Sequence, residues 1–263
     1  MTPGITGAPG AKHRKGEYNL SKRNRVQRRN KYAEDFINDN VVHIVPQQPK
    51  RKVELTPRNA HQRRYINLLN DWSKTILFAV GPAGTGKTML AVQAAIRSFN
   101  AKEIDKIIVT RPAVSVDEEH GFLPGSLTEK MEPWTKPIFD VFYEHWSHRQ
   151  VEYFLEEGKI EISPLAYMRG RTFKRAWIIA DEMQNATASQ MKMLLTRIGD
   201  DSRMVVTGDL KQGDRIDDNG LADFLGLLLR TEDTSSIDVV RFDVQDVERH
   251  AAVRAVLKIY GEE

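Results

Sequence analysis

The sequence Gly81-Pro82-Ala83-Gly84-Thr85-Gly86-Lys87-Thr88 decides the fold, and it fits the pattern G-x-x-x-x-G-K-[ST]. An apolar run at 75–80 precedes it, and a helical pattern follows it. The glycines permit positive φ, so backbone N–H groups can approach the oxygens of a phosphate. A helix beginning at Lys87 would direct the positive end of its dipole at the same anion. The stretch therefore predicts a phosphate-binding loop, against the alternative of a glycine-rich turn that binds nothing.

The motif assigns a role to each side chain at the end of this loop. Lys87 is predicted to reach the β- and γ-phosphates of ATP, and the Thr88 hydroxyl to bind Mg²⁺. Residues 81–88 and Met89, which follows them, form the predicted nucleotide-binding set. The site therefore implies ATP and Mg²⁺ as its cofactors.

A second signal is an acidic pair at the end of an apolar run, Trp177-Ile178-Ile179-Ala180-Asp181-Glu182. Ligands of open α/β sheets bind at the carboxyl ends of strands, where Asp181 is expected. Asp181 is predicted to hold Mg²⁺, directly or through water, and Glu182 to accept a proton from the attacking water. The alternative is an ordinary solvated Asp-Glu pair. The presence of Glu182 favours hydrolysis of ATP over transfer of its phosphate to a second substrate.

Two glutamines are further candidates. Gln212 follows a predicted strand and Thr207-Gly208-Asp209, so its amide could contact the γ-phosphate or the attacking water; an ordinary turn is the alternative. Gln62 lies on the helix before the first strand, and its amide could pair with the N6 donor and N7 acceptor of adenine. For Gln62, the sequence alone favours a solvent-facing side chain.

The order of elements predicts an α/β fold of the RecA-like P-loop type, a mostly parallel sheet flanked by helices. Apolar runs alternate with helical patterns throughout residues 53–263, and this segment is expected to be one domain. Strands are predicted at 75–80, 106–110, 159–163, 177–181, 203–207 and 237–241. Helices are predicted at 57–70, 87–99, 127–148, 189–198, 220–229 and 245–260.

Residues 1–52 are expected to be a basic leader and linker, largely disordered, with one possible short strand at 41–45. They carry twelve Lys and Arg against four Asp and Glu, whereas the rest of the chain carries twenty-seven against thirty-two. Nine of the basic residues fall in the run 12–31. This run could bind the phosphate backbone of RNA, and a solubilising tail is the alternative.

Composition excludes several classes of protein. The 263 residues contain no cysteine, which excludes disulfides and thiolate metal sites. No window has the eighteen or so apolar residues of a membrane span, and no secretion signal is visible at the N-terminus. We therefore expect a cytoplasmic protein that does not insert into a membrane.

The chain resembles the PhoH-like ATPases, a family related to the first motor domain of superfamily 1 helicases. The resemblance runs from about Leu55 to the C-terminus and includes blocks that generic P-loop proteins lack. It implies ATP binding and a role in RNA metabolism, and it favours a helicase. The blocks are Val109-Thr110-Arg111-Pro112, Gly121-Phe122-Leu123-Pro124-Gly125, residues 162–172 and Asp246-Val247-Glu248-Arg249-His250.

A superfamily 1 helicase hydrolyses ATP between two motor domains, and the second domain supplies an arginine. This chain has one such domain, so the arginine could come from a neighbouring subunit of a closed ring, a hexamer by family analogy. Arg249 is the first candidate for this arginine finger, followed by Arg169 and Arg171; for each, a solvated surface arginine is the alternative.

Three classes of function are open at this point. The first is an ATPase stimulated by RNA or single-stranded nucleic acid, such as a helicase or remodelling enzyme. The second is a P-loop phosphotransferase that acts on a small molecule. The third is an interaction protein whose assembly is gated by nucleotide.

Overall fold

The computed structural model describes residues 53–112, 127–212, 219–232 and 234–248, together with Ala252, Val253, Val256 and Ile259. For residues 127–133 it describes the backbone only. The elements in chain order are α1 (Ala60–Asn70), β1 (Ile76–Val80), α2 (Lys87–Asn100), β2 (Lys106–Thr110), α3 (Leu127–His145), α4 (His148–Glu156), β3 (Ile160–Ile162), β4 (Ala176–Ala180), α5 (Ala188–Leu195), β5 (Arg203–Gly208), α6 (Gly220–Leu228) and β6 (Ile237–Arg241). Short 3-10 helices cover Leu165–Met168, Met183–Asn185 and Val244–Asp246.

The six strands form one parallel sheet in the order β3-β2-β4-β5-β1-β6. Their carboxyl ends therefore lie along one edge of the sheet. Val80 at the end of β1 pairs with Gly208 at the end of β5, and Thr110 of β2 pairs with Ala180 of β4. Because β4 and β5 are also neighbours, the turns that follow β1, β4 and β5 meet at this edge.

Alternate residues of every strand except β3 enter two separate cores. Leu77 and Ala79 of β1 join the core that α1 to α4 cover, whereas Phe78 and Val80 join the core that α5 and α6 cover. All five residues of β1 and of β4 are buried. Strands that are covered on both faces read as continuous apolar runs, which explains why the sequence shows them clearly. The predicted α/β class with a parallel sheet flanked by helices is confirmed.

Each of the six strands is present, with small shifts at the ends. The predicted strand at 177–181 ends one residue earlier, at Ala180, so Asp181 lies in the turn. The predicted strand at 159–163 contains only Ile160–Ile162. Asp181 therefore follows the last residue of β4, and its N–H still donates to the carbonyl of Thr110 on the neighbouring strand (2.9 Å).

The helix predicted at 127–148 is present as α3, which ends three residues earlier, and a second helix that was not predicted, α4, begins at His148. Ser147 caps α4: its hydroxyl accepts from the N–H of Gln150, whose side chain accepts from the N–H of Ser147. Such a capping box satisfies free N–H groups at a helix start and favours a new helix there. Ser147 and Gln150 are thus the sequence signal for the start of α4.

The predicted helix at 245–260 is wrong at its start. Val244–Asp246 form a 3-10 turn, and Val247 and Glu248 are not helical. Asp243 caps this turn, since its side chain accepts from the N–H of Gln245 (2.8 Å). Beyond Glu248, the four residues that the structure describes (Ala252, Val253, Val256 and Ile259) are helical.

The predicted leader at 1–52 and the possible strand at 41–45 lie outside the described residues, and the domain boundary at 52 stays a prediction. In the described part of the chain, no helix combines the length and the apolar character needed to cross a bilayer.

Candidate active site

The glycine-rich loop connects β1 to α2 in the way that its sequence predicts. Gly81, Gly84 and Gly86 all have positive φ, at 142°, 80° and 82°. A Cβ at Gly81 would lie 2.3 Å from the carbonyl oxygen of Phe242, so only glycine fits between β1 and the segment after β6. The loop is held further by a hydrogen bond from the Gly81 N–H to the carbonyl of Gly208 (3.1 Å).

Lys87, the first residue of α2, folds its side chain back over this loop. Its Nζ donates to the carbonyl oxygens of Gly81 and Pro82, each at 2.6 Å. Burial lowers the pKa of the Lys87 ammonium, although the carboxylates of Asp209, Glu182 and Asp181 act in the opposite direction. A phosphate at the loop would offer this ammonium stronger, charged acceptors in place of the two carbonyls.

Thr88 and Asp181 form the direct contact between the loop and the end of β4. The hydroxyl of Thr88 donates to Oδ1 of Asp181 at 2.7 Å, and the hydroxyl of Thr207 donates to the same oxygen. Asp181 is only 7% exposed. Mg²⁺ prefers oxygen ligands of this kind, usually one or two protein groups together with water and phosphate oxygens. The two predicted metal residues therefore fit a Mg²⁺ site.

Glu182 has a backbone conformation that is unusual for a residue with a side chain. Its φ of 53° and ψ of 41° lie in the left-handed region, and it precedes the 3-10 turn Met183–Asn185. Its Oε2 accepts a hydrogen bond from Nε2 of Gln184 at 2.5 Å. The carboxylate thus has a defined orientation next to Asp181.

The turns after β1, β4 and β5 enclose one cavity of about 250 Å³. Three carboxylates (Asp181, Glu182 and Asp209) share its lining with the ammonium of Lys87. Such a mixture suits a polyanion that arrives with a divalent cation, because the cation would neutralise the carboxylates. The lining residues are Ala83, Gly84, Gly86, Lys87, Thr88, Met89, Asp181, Glu182, Thr207, Gly208, Asp209 and Gln212.

The predicted phosphate-contacting residue Gln212 is exposed and reaches this cavity. Its N–H donates to the carbonyl of Asp209 at 3.1 Å, so it closes a turn after β5. Asp209 is buried, and its side chain accepts from the N–H of Lys211 at 3.0 Å. The cavity lining thus brings together all of the predicted catalytic residues except Arg249.

Gln62 is not a solvent-facing side chain, which corrects the interpretation that the sequence favours. It is only 1% exposed. Its Oε1 accepts from the N–H of Arg58 (2.9 Å), and its Nε2 donates to the carbonyl of Thr85 (3.1 Å). Its Nε2 also lies 3.1 Å from the position of a Cβ on Gly86. Gln62 therefore supports the loop from α1, and its contact with adenine stays a prediction.

Several residues that shape the site were not among those predicted from the sequence. Gln184 links Glu182 to Asp209, because its Oε1 accepts from the N–H of Asp209 (3.1 Å). The buried hydroxyl of Tyr65 donates to the carbonyl of Lys87 at 3.2 Å, and burial raises the pKa of Tyr65. A polar residue two positions after the acidic pair was the available signal for Gln184.

The segment after β6 also contacts the loop. The N–H of Glu248 donates to the carbonyl of Gly84 at 3.1 Å. Arg249, the next residue and the predicted arginine finger, lies outside the described residues. Arg171 forms two hydrogen bonds with the carboxylate of Glu161 and lies over the ring of Phe173, so its side chain is already engaged. Arg169 is exposed.

Searches against known proteins match the same part of the chain. At 41% identity over 214 residues, it is similar to a PhoH-like protein of Mycobacterium tuberculosis (strain H37Rv), covering 81% of this chain and 59% of the relative. Protein PhoH of Escherichia coli K12 is 42% identical over 208 residues, or 78% of this chain and 57% of the relative. The chain thus spans somewhat over half the length of these curated relatives.

A solved structure of Pif1 helicase from Candida albicans is similar over 72% of this chain and 41% of that one, with 15% identity. Its TM-score is 0.33.

The profile of the family described as "PhoH-like protein" matches residues 54–261, which include every predicted site residue. The family resemblance that the sequence blocks predict is thereby confirmed. With its glycine-rich loop, acidic pair and parallel sheet, this chain is a P-loop protein that belongs to the PhoH-like family.

Proposed function

We propose that this chain binds ATP with Mg²⁺ and hydrolyses it. The observation that carries the proposal is the 2.7 Å contact between Thr88 and Asp181, which joins the glycine-rich loop to the acidic pair. A hydroxyl and a carboxylate at this distance can contact one cation, and the loop amides lie beside them. Glu182, the next residue after Asp181, lines the same cavity.

Each side chain has a separate task in this proposal. Lys87 binds the β- and γ-phosphates, and Thr88 and Asp181 hold Mg²⁺. When bound, the cation supplies charge neutralisation on the phosphate oxygens. Glu182 takes the proton from the attacking water, and Gln212 orients that water or the γ-phosphate. Gln62 is the proposed contact for the adenine edge.

The proposed setting is a cytoplasmic ring that acts on RNA or single-stranded nucleic acid, as a helicase or remodelling ATPase. The basic run at 12–31 supports contact with a phosphate backbone. The single glycine-rich loop supports assembly, because an arginine from a second subunit would complete the site. We propose the hexamer by family analogy, with Arg249 as the arginine that acts on the neighbouring site.

A phosphate-release assay with Mg²⁺ and ATP tests the hydrolysis. Lys87→Ala should abolish turnover and weaken nucleotide binding, whereas Glu182→Gln should bind ATP but hydrolyse it only at a small residual rate. Glu157→Gln, on an exposed carboxylate after α4, is the matched control and should keep the parent rate. Hydrolysis by Glu182→Gln at the parent rate would contradict the assignment of the base.

Two further measurements separate the alternatives. Label transfer from the γ-phosphate to an acceptor other than water would identify a phosphotransferase. An interaction protein gated by nucleotide would be identified by two results: RNA and single-stranded DNA would not change the rate of ATP turnover, and assembly would depend on nucleotide.

Deletion of residues 1–35 tests the proposed arm. The truncated chain should bind RNA or single-stranded DNA more weakly, and the logarithm of its affinity should fall less steeply with the logarithm of salt concentration. An unchanged slope would show that the arm does not contact phosphates.

Mixed assemblies test the ring. Neither Arg249→Ala nor Lys87→Ala should hydrolyse ATP alone, but mixed rings should regain activity where an intact loop meets an intact arginine. Specific activity of the parent should rise with protein concentration. Inactive mixed rings would exclude Arg249 as a finger that acts in trans, and a fully active monomer at high dilution would exclude the ring.

A further inference from the structure

The side-chain amide of Gln184 joins the turn that follows β4 to the turn that follows β5. Its Nε2 donates to Oε2 of Glu182 at 2.5 Å, and its Oε1 accepts from the backbone N–H of Asp209 at 3.1 Å. We propose that Gln184 is a positioning residue that couples the orientation of the Glu182 carboxylate to the turn after β5. This inference rests on the proposed hydrolysis of ATP.

The partners of Gln184 determine which way its side-chain amide is oriented. Its side chain is only 2% exposed, and a Cβ on Gly208 would lie 2.8 Å from its Oε1 and 2.6 Å from Leu221 Cδ2. The absence of a side chain at Gly208 thus lets Gln184 approach the end of β5. Because a carboxylate accepts and an N–H donates, the amide must direct its NH₂ to Glu182 and its oxygen to Asp209.

The backbone at Glu182 supports a functional interpretation. A residue with a side chain seldom adopts positive φ, and such conformations cluster at functional sites, where the surroundings hold them. Here the carbonyl of Glu182 accepts from the N–H of Asn185 (3.2 Å), and Gln184 holds its carboxylate. The same turn therefore fixes both the main chain and the side chain of the proposed base.

Asp209, which Gln184 contacts, is itself hydrogen-bonded to Gln212, the predicted phosphate-contacting residue. The carbonyl of Asp209 accepts from the N–H of Gln212, and both residues line the cavity. A shift of this turn when Gln212 meets the γ-phosphate would move the Asp209 N–H, and Gln184 would pass that shift to Glu182. The base would thus be aligned when the triphosphate is in place.

Kinetics of Gln184→Glu test this role. Glutamate has the same length and still accepts from Asp209, so it satisfies a merely structural role. It cannot donate to Glu182 when ionised, and it places a second negative charge beside it. We expect kcat for ATP to fall about 10- to 100-fold, as when a hydrogen bond that orients a functional side chain is lost. ATP affinity should stay within about threefold. A parent kcat in folded Gln184→Glu would overturn the proposal.

Gln184→Ala and a control in the next turn complete the comparison. Gln184→Ala should lower kcat to a similar extent, again without a matching loss of ATP affinity. Gln190→Ala removes the capping box at Thr187 and should lower thermal stability, yet leave kcat unchanged. An equal loss of kcat in Gln190→Ala would show that general loosening of this segment, not the link, limits turnover.

Double mutants show whether Gln184 acts through Glu182. In a Glu182→Gln background, Gln184→Ala should lower the residual rate by less than about twofold, because the group that it positions is already gone. An undiminished effect in that background would overturn the coupling.

Amide hydrogen exchange of the full chain tests the link without turnover. The N–H of Asp209 should exchange faster in Gln184→Ala than in the parent, and ATP should change its exchange in the parent but less in the variant. Equal exchange in both proteins would overturn the link. Absence of hydrolysis in the parent would contradict the proposed function and leave this measurement as the test of the link.

Discussion

Nδ1 of His61 lies 2.6 Å from Oδ2 of Asp246, although the two residues are 185 positions apart in the chain. The contact joins α1 to the turn after β6. The same carboxylate oxygen accepts from the N–H of Asp243 (2.8 Å), and Asp246 is only 5% exposed. Two residues later, Glu248 holds the carbonyl of Gly84, so this contact secures the segment that supports the glycine-rich loop.

Replacing Asp246 by alanine should therefore destabilise the protein. The change leaves the N–H of Asp243 and the ring of His61 without their acceptor in two partly buried contacts, which costs about 1–3 kcal/mol of unfolding free energy. Asp246→Asn keeps one acceptor and should lose less. Asp238→Ala, which removes partly exposed ion pairs with Arg64 and Lys74, is the control and should change stability by about 0.5 kcal/mol or less. Chemical denaturation measures all three, and equal losses in Asp246→Ala and Asp238→Ala would contradict the prediction.

The contact between Thr88 and Asp181 predicts how nucleotide binding depends on Mg²⁺. Thr88→Val keeps the shape of the side chain but removes the hydroxyl, whereas Thr88→Ser keeps the hydroxyl. Calorimetric titration with ATP should show that Mg²⁺ strengthens binding to the parent and to Thr88→Ser much more than to Thr88→Val. Retention of the full Mg²⁺ effect in Thr88→Val would remove Thr88 from the metal site.

The lowered pKa of Lys87 predicts the effect of alkaline pH on ATP binding. Only the protonated ammonium attracts phosphates. Because burial favours the neutral form, its proton should dissociate at a lower pH than that of an exposed lysine, whose pKa is about 10.4. ATP affinity should thus fall with rising pH before that value is reached.

Titrations between neutral and alkaline pH measure this decline. Lys87→Ala should bind at least about tenfold more weakly at neutral pH and show little further change. The exposed Lys192→Ala should match the parent. A parent affinity that is constant up to the ordinary lysine range would refute the prediction.

Arg203, a buried arginine far from the cavity, should contribute strongly to the stability of the protein. Arg203 at the start of β5 is fully buried, and it donates to the carbonyls of Leu68, Leu69 and Asp71 at the end of α1. Burial lowers its pKa to about 10, so it stays charged at neutral pH. Its positive charge stabilises the carboxyl end of the α1 dipole.

Arg203→Ala should lower the free energy of unfolding by about 3–5 kcal/mol, since it leaves buried carbonyls without a donor and opens a cavity. The control is Arg175→Ala, which breaks an exposed pair with Asp105 and should cost about 1 kcal/mol or less. Urea unfolding curves distinguish the two, and a small loss in Arg203→Ala would show that water replaces its contacts.

The sequence predicted the sheet well because its strands are covered on both faces. A run such as Trp177-Ile178-Ile179-Ala180 has no polar face to present, so its composition alone indicates a buried strand. The helix that this reasoning did not predict, α4, has its start determined by an N-terminal cap. The break before α4 depends on the pair Ser147 and Gln150, and apolar periodicity does not report such local hydrogen bonds.

The sequence by itself identified the glycine-rich loop and the acidic pair and indicated the chemistry that we propose for them, because the residue types at 81–88 and 181–182 leave few other uses for that spacing. Only the tertiary structure decided what supports them. Gln62 was expected at the surface but is buried against the loop, Gln184 was not predicted, and Asp246 was noted only as part of a family block. Their roles depend on partners far along the chain, and which strands and turns become neighbours is settled only when the sheet is assembled.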